Sequence, residues 1–344
     1  MPLVNTIDKA EVIVALDIHN FMLRCYFAKG FAANAKNAQK YPTGHIYLAL
    51  QKVRAALMHY GLKENKRVVL VLSAHENSGV RKKMYPKYKA TREAREYTSY
   101  EVKDVDGNIV DKTRDPIEDG MEFLQCFPSV SLEIPNGDGE TDDALAVMSK
   151  KYGKTKRIYI VSEDHDDWAL MSDSVVITSK PGEEYGKADL MRQYGITKAR
   201  KLPLVKAILG DTSDNIENVP GLSEKTYMDV LASQKVDSHY FDLHRIFEAT
   251  KKTKEDHGLY AYGFYRELRK FLKQNPKSKL VLLLGYEKDV IFRERLVKLR
   301  TKIEVRYTTN RGDIPKLKRL LDWYALKKDY NSAVVLASGS SNLK

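Results

Sequence analysis

Short apolar runs alternate with segments of helical spacing through the first half of the chain. Residues 12–16 (VIVAL) end at Asp17, and residues 68–72 (VVLVL) form a second run. Both predict buried parallel strands. Between them Ile46, Leu50, Val53 and Leu57 recur at helical intervals and predict a helix over 44–60. Residues 131–134, 157–161 and 175–178 predict three further strands, and 141–151 a helix with Asp142 and Asp143 in its first turn. Strands alternating with helices imply an α/β fold, a mainly parallel sheet with flanking helices.

From about 187 onward the pattern turns helical. A helix over 201–209 stops at Gly210, a turn-rich stretch covers 211–223, and a second helix covers 224–232. Residues 258–274 and 313–328 are amphipathic; 279–284 and 303–307 read as strand or as buried coil. Residues 101–112 alternate around Asp106-Gly107, a hairpin signal whose charged ends predict projection from the surface. The division expected is an α/β core over 1–200 with a basic insertion and hairpin at about 81–120, a helical region over 201–333, and a flexible tail over 334–344.

Composition narrows the partners. With 344 residues and 43% hydrophobic content the chain can bury a sizeable core, which excludes general disorder. Lys and Arg number 58 against 46 for Asp and Glu, a net charge of +12. That excess favours a polyanion, nucleic acid first and an acidic membrane surface second. Two cysteines, Cys25 and Cys126, cannot form a disulfide framework or a four-ligand zinc site. They suit a reducing, cytoplasmic compartment and buried, inert positions. No apolar run approaches the ~20 residues that span a bilayer, and the first ten residues carry no signal-peptide pattern.

Acidic residues gather where strands and helices end. Asp17 follows the first strand, and Glu140, Asp142 and Asp143 open a helix. Asp164 and Asp166 follow the strand at 157–161, and Asp211 and Asp214 follow the Gly210 stop. A single Asp at a strand end is commonly a turn or cap residue, and Asp142 and Asp143 also suit a helix first turn. In an open parallel sheet, however, ligand sites lie outside the C-terminal strand edge. Carboxylates brought together there repel unless cations intervene, and all-oxygen ligation suits two or more Mg²⁺ or Mn²⁺ ions. A calcium-binding loop is excluded: starting it at Asp138, Asp164 or Asp211 puts Asp143, Ala169 or Ile216 where Gly is required.

Residues 81–95 carry seven Lys or Arg and one acid, Glu93. Arg81, Lys82, Lys83 and Lys87 are interleaved with Tyr85 and Tyr88, a mixture that holds single strands by charge and stacking. The plainer reading is a solvated basic helix face.

Five segments resemble the bacteriophage flap endonuclease and 5′-exonuclease family, in that family's order. Glu140-Thr141-Asp142-Asp143 is similar to its E-x-D-D signature, and Ser162-Glu163-Asp164-His165-Asp166 to its S-x-D-x-D signature. Gly210-Asp211-Thr212-Ser213-Asp214-Asn215-Ile216 looks like G-D-x-x-D-N-I. Residues 218–226, with Gly221, Ser223, Lys225 and Thr226, resemble a helix–hairpin–helix loop, and 85–92 the Y-K-x-x-R segment of a helical arch. The resemblance implies a PIN-like nuclease core with a helical DNA-binding region. It also implies metal ligation by Asp17, Glu140, Asp142, Asp143, Asp164, Asp166, Asp211 and Asp214. Lys89 and Arg92 would stand over the scissile phosphate, with duplex DNA held at 211–226 in a salt-sensitive, structure-selective way.

The implied activity is a structure-selective 5′-3′ exonuclease or flap endonuclease on DNA or RNA-primer phosphodiesters in phage replication. The substrate would be DNA with a 5′ end or flap, or an RNA/DNA hybrid. The chain would be a monomer free of membrane and able to meet replication proteins. The extra helical region argues against a small toxin-type RNase. Two departures stand out. Ser73 sits where the family has an Asp after its second strand, with Glu76 as a possible replacement, and Ser223 sits where a second Gly is usual. The first keeps open the alternative of a catalytically impaired DNA-binding relative. His165 is expected to be hydrogen-bonded or solvent-facing rather than a ligand.

Overall fold

The computed structural model describes residues 3–29, 35–92, 96–113, 115–137, 139–233 and 238–338. Glu93 and Arg95 of the basic segment, Asp138 and tail residues 339–344 lie outside them. The strands are β1 (Leu3–Val4), β2 (Val12–Asp17), β3 (Val68–Ser73), β4 (Ser99–Lys103), β5 (Ile109–Thr113), β6 (Pro128–Glu133), β7 (Arg157–Val161), β8 (Val175–Lys180), β9 (Glu183–Glu184) and β10 (Arg306–Arg311). The helices are α1 (Ile18–Tyr26), α2 (Gly44–Tyr60), α3 (Gly79–Met84), α4 (Pro116–Leu124), α5 (Thr141–Tyr152), α6 (Lys187–Tyr194), α7 (Leu202–Leu209), α8 (Glu224–Ser233), α9 (His239–Ala249), α10 (Ala261–Gln274), α11 (Glu287–Val297), α12 (Ile314–Trp323) and α13 (Tyr330–Ala337).

β2 lies at the centre of the main sheet, in the order β10-β6-β3-β2-β7-β8-β9, with β1 also pairing β3. β6, β3, β2, β7 and β8 run parallel, and β10 and β9 close the edges antiparallel. Every residue of β2 and β3 is buried, because helices cover both faces of the sheet. Alternation divides the strands between two cores. Val12, Val14 and Leu16 pack with Val68, Leu70 and Leu72 against α1, α2, α4, α12 and α13. Ile13, Ala15, Val69 and Val71 face α5 and the helices from α6 to α11. This period of two places Asp17 and Ser73, the last residues of β2 and β3, on the α5 face, and they are register partners.

The strand and helix expectations of the first half hold, while the later chain differs in four places. The 279–284 segment is a 3₁₀ helix, Lys279–Tyr286, not a strand. Ser278 caps it, and Leu280 and Leu283 are buried one three-residue turn apart. The 303–307 strand shifts to β10, an edge strand of polar sequence (RYTTNR) that pairs with β6 from Arg306↔Glu133 to Arg311↔Pro128. An edge strand half open to solvent has no apolar run to announce it. Residues 306–333 therefore return to the α/β core rather than extending the helical region, and 334–337, expected as part of the flexible tail, complete α13.

The hairpin forms as β4 and β5, with Gly107 at φ 88° and Asp104 capping the turn through the Asp106 and Asn108 amides, each at 2.9 Å. It does not project freely. Val102 is buried in the core, and the Lys103 carbonyl accepts from Trp323 Nε1 at 2.6 Å and Gln39 Nε2 at 3.0 Å. Lys112 pairs at 2.8 Å with the buried Asp119. No helix is long and apolar enough to cross a membrane among the described residues.

Leu320 of α12 is buried beside Leu317 and Leu321 in the core shared with α1, α2 and α4. Leu320→Ala is expected to lower the unfolding free energy by about 2–5 kcal/mol, read from urea denaturation. An unchanged midpoint would mean that the C-terminal segment is not part of the core.

Candidate active site

The C-terminal edge of the parallel strands gathers the carboxylates. Asp17 ends β2 and caps α1, accepting from the Asn20 amide at 3.1 Å. Asp142 comes from the first turn of α5. The loop after β7 folds back on itself: Ser162 Oγ accepts from the Asp164 amide at 3.0 Å, and Asp164 Oδ1 from the Asp166 amide at 2.9 Å. A short 3₁₀ turn, Asp166–Leu170, follows. Trp168 packs there against His165, Tyr185 and Tyr194, and His165 Nδ1 lies 2.8 Å from the Tyr194 hydroxyl. Asp211 and Asp214 enter from the loop after α7, where Asp211 Oδ1 accepts from Ser213 N at 2.9 Å.

These side chains form three overlapping groups whose ligand atoms lie within 4.8 Å of one another: Asp17, Asp142 and Asp167; Asp142, Asp164 and Asp166; and Asp166, Asp211 and Asp214. Six of the eight expected ligands thus come together. Glu140 and Asp143 lie outside these groups and face Arg81 instead. Arg81 bonds Asp143 twice, at 2.8 and 2.9 Å, and Glu140 at 2.7 Å. Its Nε donates to the Leu296 carbonyl at 3.0 Å. Glu140 also accepts from Lys89 Nζ at 2.5 Å and Tyr88 Oη at 3.1 Å. Glu76 does not reach in either: its carboxylate is exposed, 3.6 Å from His19.

The same contacts revise the basic segment. Arg81 and Tyr88, expected to face DNA, are buried at 5% and 2% exposure as partners of Glu140. α3 ends at Met84 because Pro86 forces Tyr85 into an extended conformation, so 85–92 forms turns rather than a continuing helix. Lys82, Lys83 and Lys87 are exposed and Tyr85 is half-buried. Lys89, at φ 52°, donates its amide to the Asp214 carbonyl at 3.1 Å. Its Nζ lies 3.8 Å from Asp214 Oδ1, which also accepts from Arg92 at 3.0 Å.

At the 211–226 loop, Gly221 has φ 81° and faces open space. The Ser223 amide is already committed to the Tyr240 hydroxyl at 3.1 Å, and its Oγ accepts from the Thr226 amide at 3.3 Å. Lys225 and Thr226 are exposed at the start of α8.

Two site residues escaped the sequence reading. Lys206, buried on α7, bonds Asp166 and also Asp211 at 2.7 Å. Its signal was a lone charge within the apolar run LPLVKAIL. Asp167 is fully buried, and adjacency to Asp166 in a D-x-D-D run was the only hint. The cleft above, about 400 Å³, is lined by Asn20, Arg92, Asp164, Lys206 and Asp211 among others.

Burial and mutual repulsion set the protonation of this edge. Burial, then the Asp164 charge, pushes Asp17 up to about 7. Burial and neighbouring carboxylates raise Asp142, Asp164 and Asp167 as well. Lys206 stays charged against its burial because Asp166 and Asp211 hold it, and the lysine in turn keeps Asp211 below the usual carboxylate range even though burial works the other way. An all-carboxylate donor set with buried oxygens short of partners fits a hard divalent cation.

The family model of the 5′-3′ exonuclease N-terminal resolvase-like domain matches residues 12–195, more than half of the chain, and the chain belongs to that family. It is thereby a nuclease. A 5′-3′ exonuclease of Aquifex aeolicus is 23% identical over 328 residues, 92% of this chain and 93% of that protein. A DNA polymerase I of Deinococcus radiodurans is 26% identical over 243 residues, 70% of this chain but 22% of the polymerase. Among solved structures, T5 5′-exonuclease aligns over 94% of this chain and 99% of its own at 16% identity, with a TM-score of 0.49.

Arg81→Met would leave Asp143 buried without its counter-charge. The expected cost is about 3–5 kcal/mol of stability, measured by urea unfolding, with a smaller loss for Arg81→Lys, which keeps the charge but not the fork. Unchanged stability with weakened DNA binding would instead restore Arg81 as a surface contact.

The raised carboxyl pKa values carry a pH dependence. The folded state holds these protons more tightly than the unfolded chain, so the contribution of these groups to the stability of the metal-free protein is greatest below the ordinary carboxylate range and is lost as pH rises toward 7. A cation needs the deprotonated forms. The melting-temperature gain on adding Mg²⁺ is therefore expected to be larger near about pH 8 than near about pH 5. A gain independent of pH would remove these carboxylates as the cation's ligands.

Proposed function

We propose that the chain is a divalent-metal-dependent 5′-nuclease that hydrolyses phosphodiesters of DNA near a 5′ end or flap. The observation that carries this is the run of three carboxylate groups joined through Asp142 and Asp166, with Lys89 and Arg92 at its mouth. Cations held by Asp17, Asp142, Asp164, Asp166, Asp211 and Asp214 would supply water activation and neutralise the phosphate. The chain's own part is positioning. Lys206 and the β7 loop fix Asp166 and Asp211, and Arg81 holds the start of α5 so that Asp142 faces the edge. Arg92, which lines the cleft, and Lys89, beside it on Asp214, would be the donors for the negative charge that grows on the transferring phosphate.

Exposed Lys82, Lys83 and Lys87 on one side and Lys225 and Thr226 at the start of α8 on the other offer sequence-independent backbone contacts. The net charge of +12 supports such a partner. Mg²⁺ or Mn²⁺ is the cation this oxygen-only set favours.

The test is cleavage of a 5′-labelled flap duplex by the wild type with and without Mg²⁺, beside Asp164→Asn. Cutting near the junction that requires Mg²⁺ and falls by at least ~100-fold in the variant is expected; loss of one preorganised charge commonly costs that much. Flap binding without cutting in either Mg²⁺ or Mn²⁺ would make the chain a DNA-binding relative instead.

A further inference from the structure

The inner carboxylate group differs from the outer ones in its partners. Lys206 pairs with Asp166 and Asp211, and Lys89 and Arg92 pair with Asp214. Asp17, Asp142 and Asp167 make no ion pair with Lys or Arg among the described residues. Their ligand atoms nonetheless lie within 4.8 Å of one another.

Asp167 and Ser73 are the two unusual members of this pocket. Asp167 is 0% exposed, and neither of its oxygens has a hydrogen-bond partner of good geometry, although the Ser162 hydroxyl interacts with its carboxylate. Ser73 is also 0% exposed, and its Oγ has no partner. Ser73 lies in register beside Asp17, and the alternation of β3 turns its side chain to the same sheet face as Asp17 and α5. Buried polar atoms without partners are rare. Here two residues from different elements carry them, each adjoining Asp17, one a carboxylate and one a hydroxyl. Glu76, the other residue able to supply a carboxylate from the end of β3, is turned toward His19 at the surface.

We propose that Asp167 is a cation ligand of this nuclease, supplying from the β7 side the carboxylate that Ser73 does not supply from β3. The inner cation is then held by Asp17, Asp142 and Asp167, with the Ser73 hydroxyl as a neutral oxygen facing it. The 3₁₀ turn and the Trp168 aromatic packing fix Asp167 inward. A protonated, purely structural Asp167 is the competing role. It would leave the Ser73 hydroxyl unexplained and would tolerate an amide.

This rests on the metal-dependent nuclease reading, and the experiment separates the two. Mn²⁺ binding to the full-length chain is followed by calorimetry and by electron paramagnetic resonance, for wild type, Asp167→Asn, Ser73→Asp and the double variant. Asp167→Asn is expected to weaken the tighter Mn²⁺ site by at least ~10-fold without lowering the melting temperature of the metal-free protein, since an amide places no charge beside Asp17 and Asp142. Ser73→Asp in the Asp167→Asn background is expected to restore affinity. Ser73→Asp alone should tighten binding, which keeps the test intact should Asp167→Asn not fold.

Wild-type affinity and stoichiometry in Asp167→Asn, or no response to Ser73→Asp, overturns the proposal alone. Absence of Mn²⁺ binding by the wild type overturns the nuclease reading and the proposal with it.

Discussion

The constraint on which this structure turns is repulsion among carboxylates at one edge of a buried sheet. At the 4.8 Å limit that bounds each group, two unit charges repel by about 3–4 kcal/mol at an effective dielectric near 20. A single such pair is comparable to a large fraction of a domain's whole stability, about 5–15 kcal/mol. The chain cannot hold six or seven ionised carboxyls there without positive charge in return. Part of that charge is built in. Lys206 lies between two of the groups' members, and Lys89 and Arg92 lean onto Asp214. The remainder is met by protons, which burial and repulsion favour on the inner carboxyls, or by cations where these bind.

This division explains the geometry of α5. Successive residues on a helix point about 100° apart, so Asp142 and Asp143 cannot serve the same partner. Asp143, with the N-cap Glu140, turns to Arg81, while Asp142 turns to the sheet edge. The buried guanidinium thus acts as a clamp. It bonds both acids of its own side and the Leu296 carbonyl of α11, tying the helical region to the start of α5. Glu140 and Asp143 thus fix the start of α5, from which Asp142 faces the clustered carboxylates.

The legibility of the sequence follows the same physics. β2, β3 and β7 were readable because strands covered on both faces must be almost wholly apolar, and a carboxylate at the end of such a run stands out. β10 was not readable, because an edge strand needs no apolar face of its own. The 279–286 segment misled because an apolar run suits a strand or a buried turn equally, and only the three-residue spacing of Leu280 and Leu283 separates them. The site was legible as a set of acids but not as a set of directions. Side-chain type and order revealed six of the clustered carboxylates, whereas the inward turn of Asp167 depends on a 3₁₀ turn held by Trp168, and the burial of Arg81 on a carbonyl from 215 residues later.

On the metal-dependent reading proposed above, stability and function are opposed at this edge and reconciled by the cation. In the metal-free chain the inner carboxylates keep protons that water would ordinarily take, and the fold bears the cost of their proximity. A bound cation both removes that cost and gains the attraction of the same charges, so loading contributes directly to folding free energy. Full internal compensation, a second Lys206 for the inner group, would yield a more stable protein with nothing left to attract a metal. On that reading, the buried carboxylates that Lys and Arg do not neutralise are the part of the fold that function prevents from being optimised for stability.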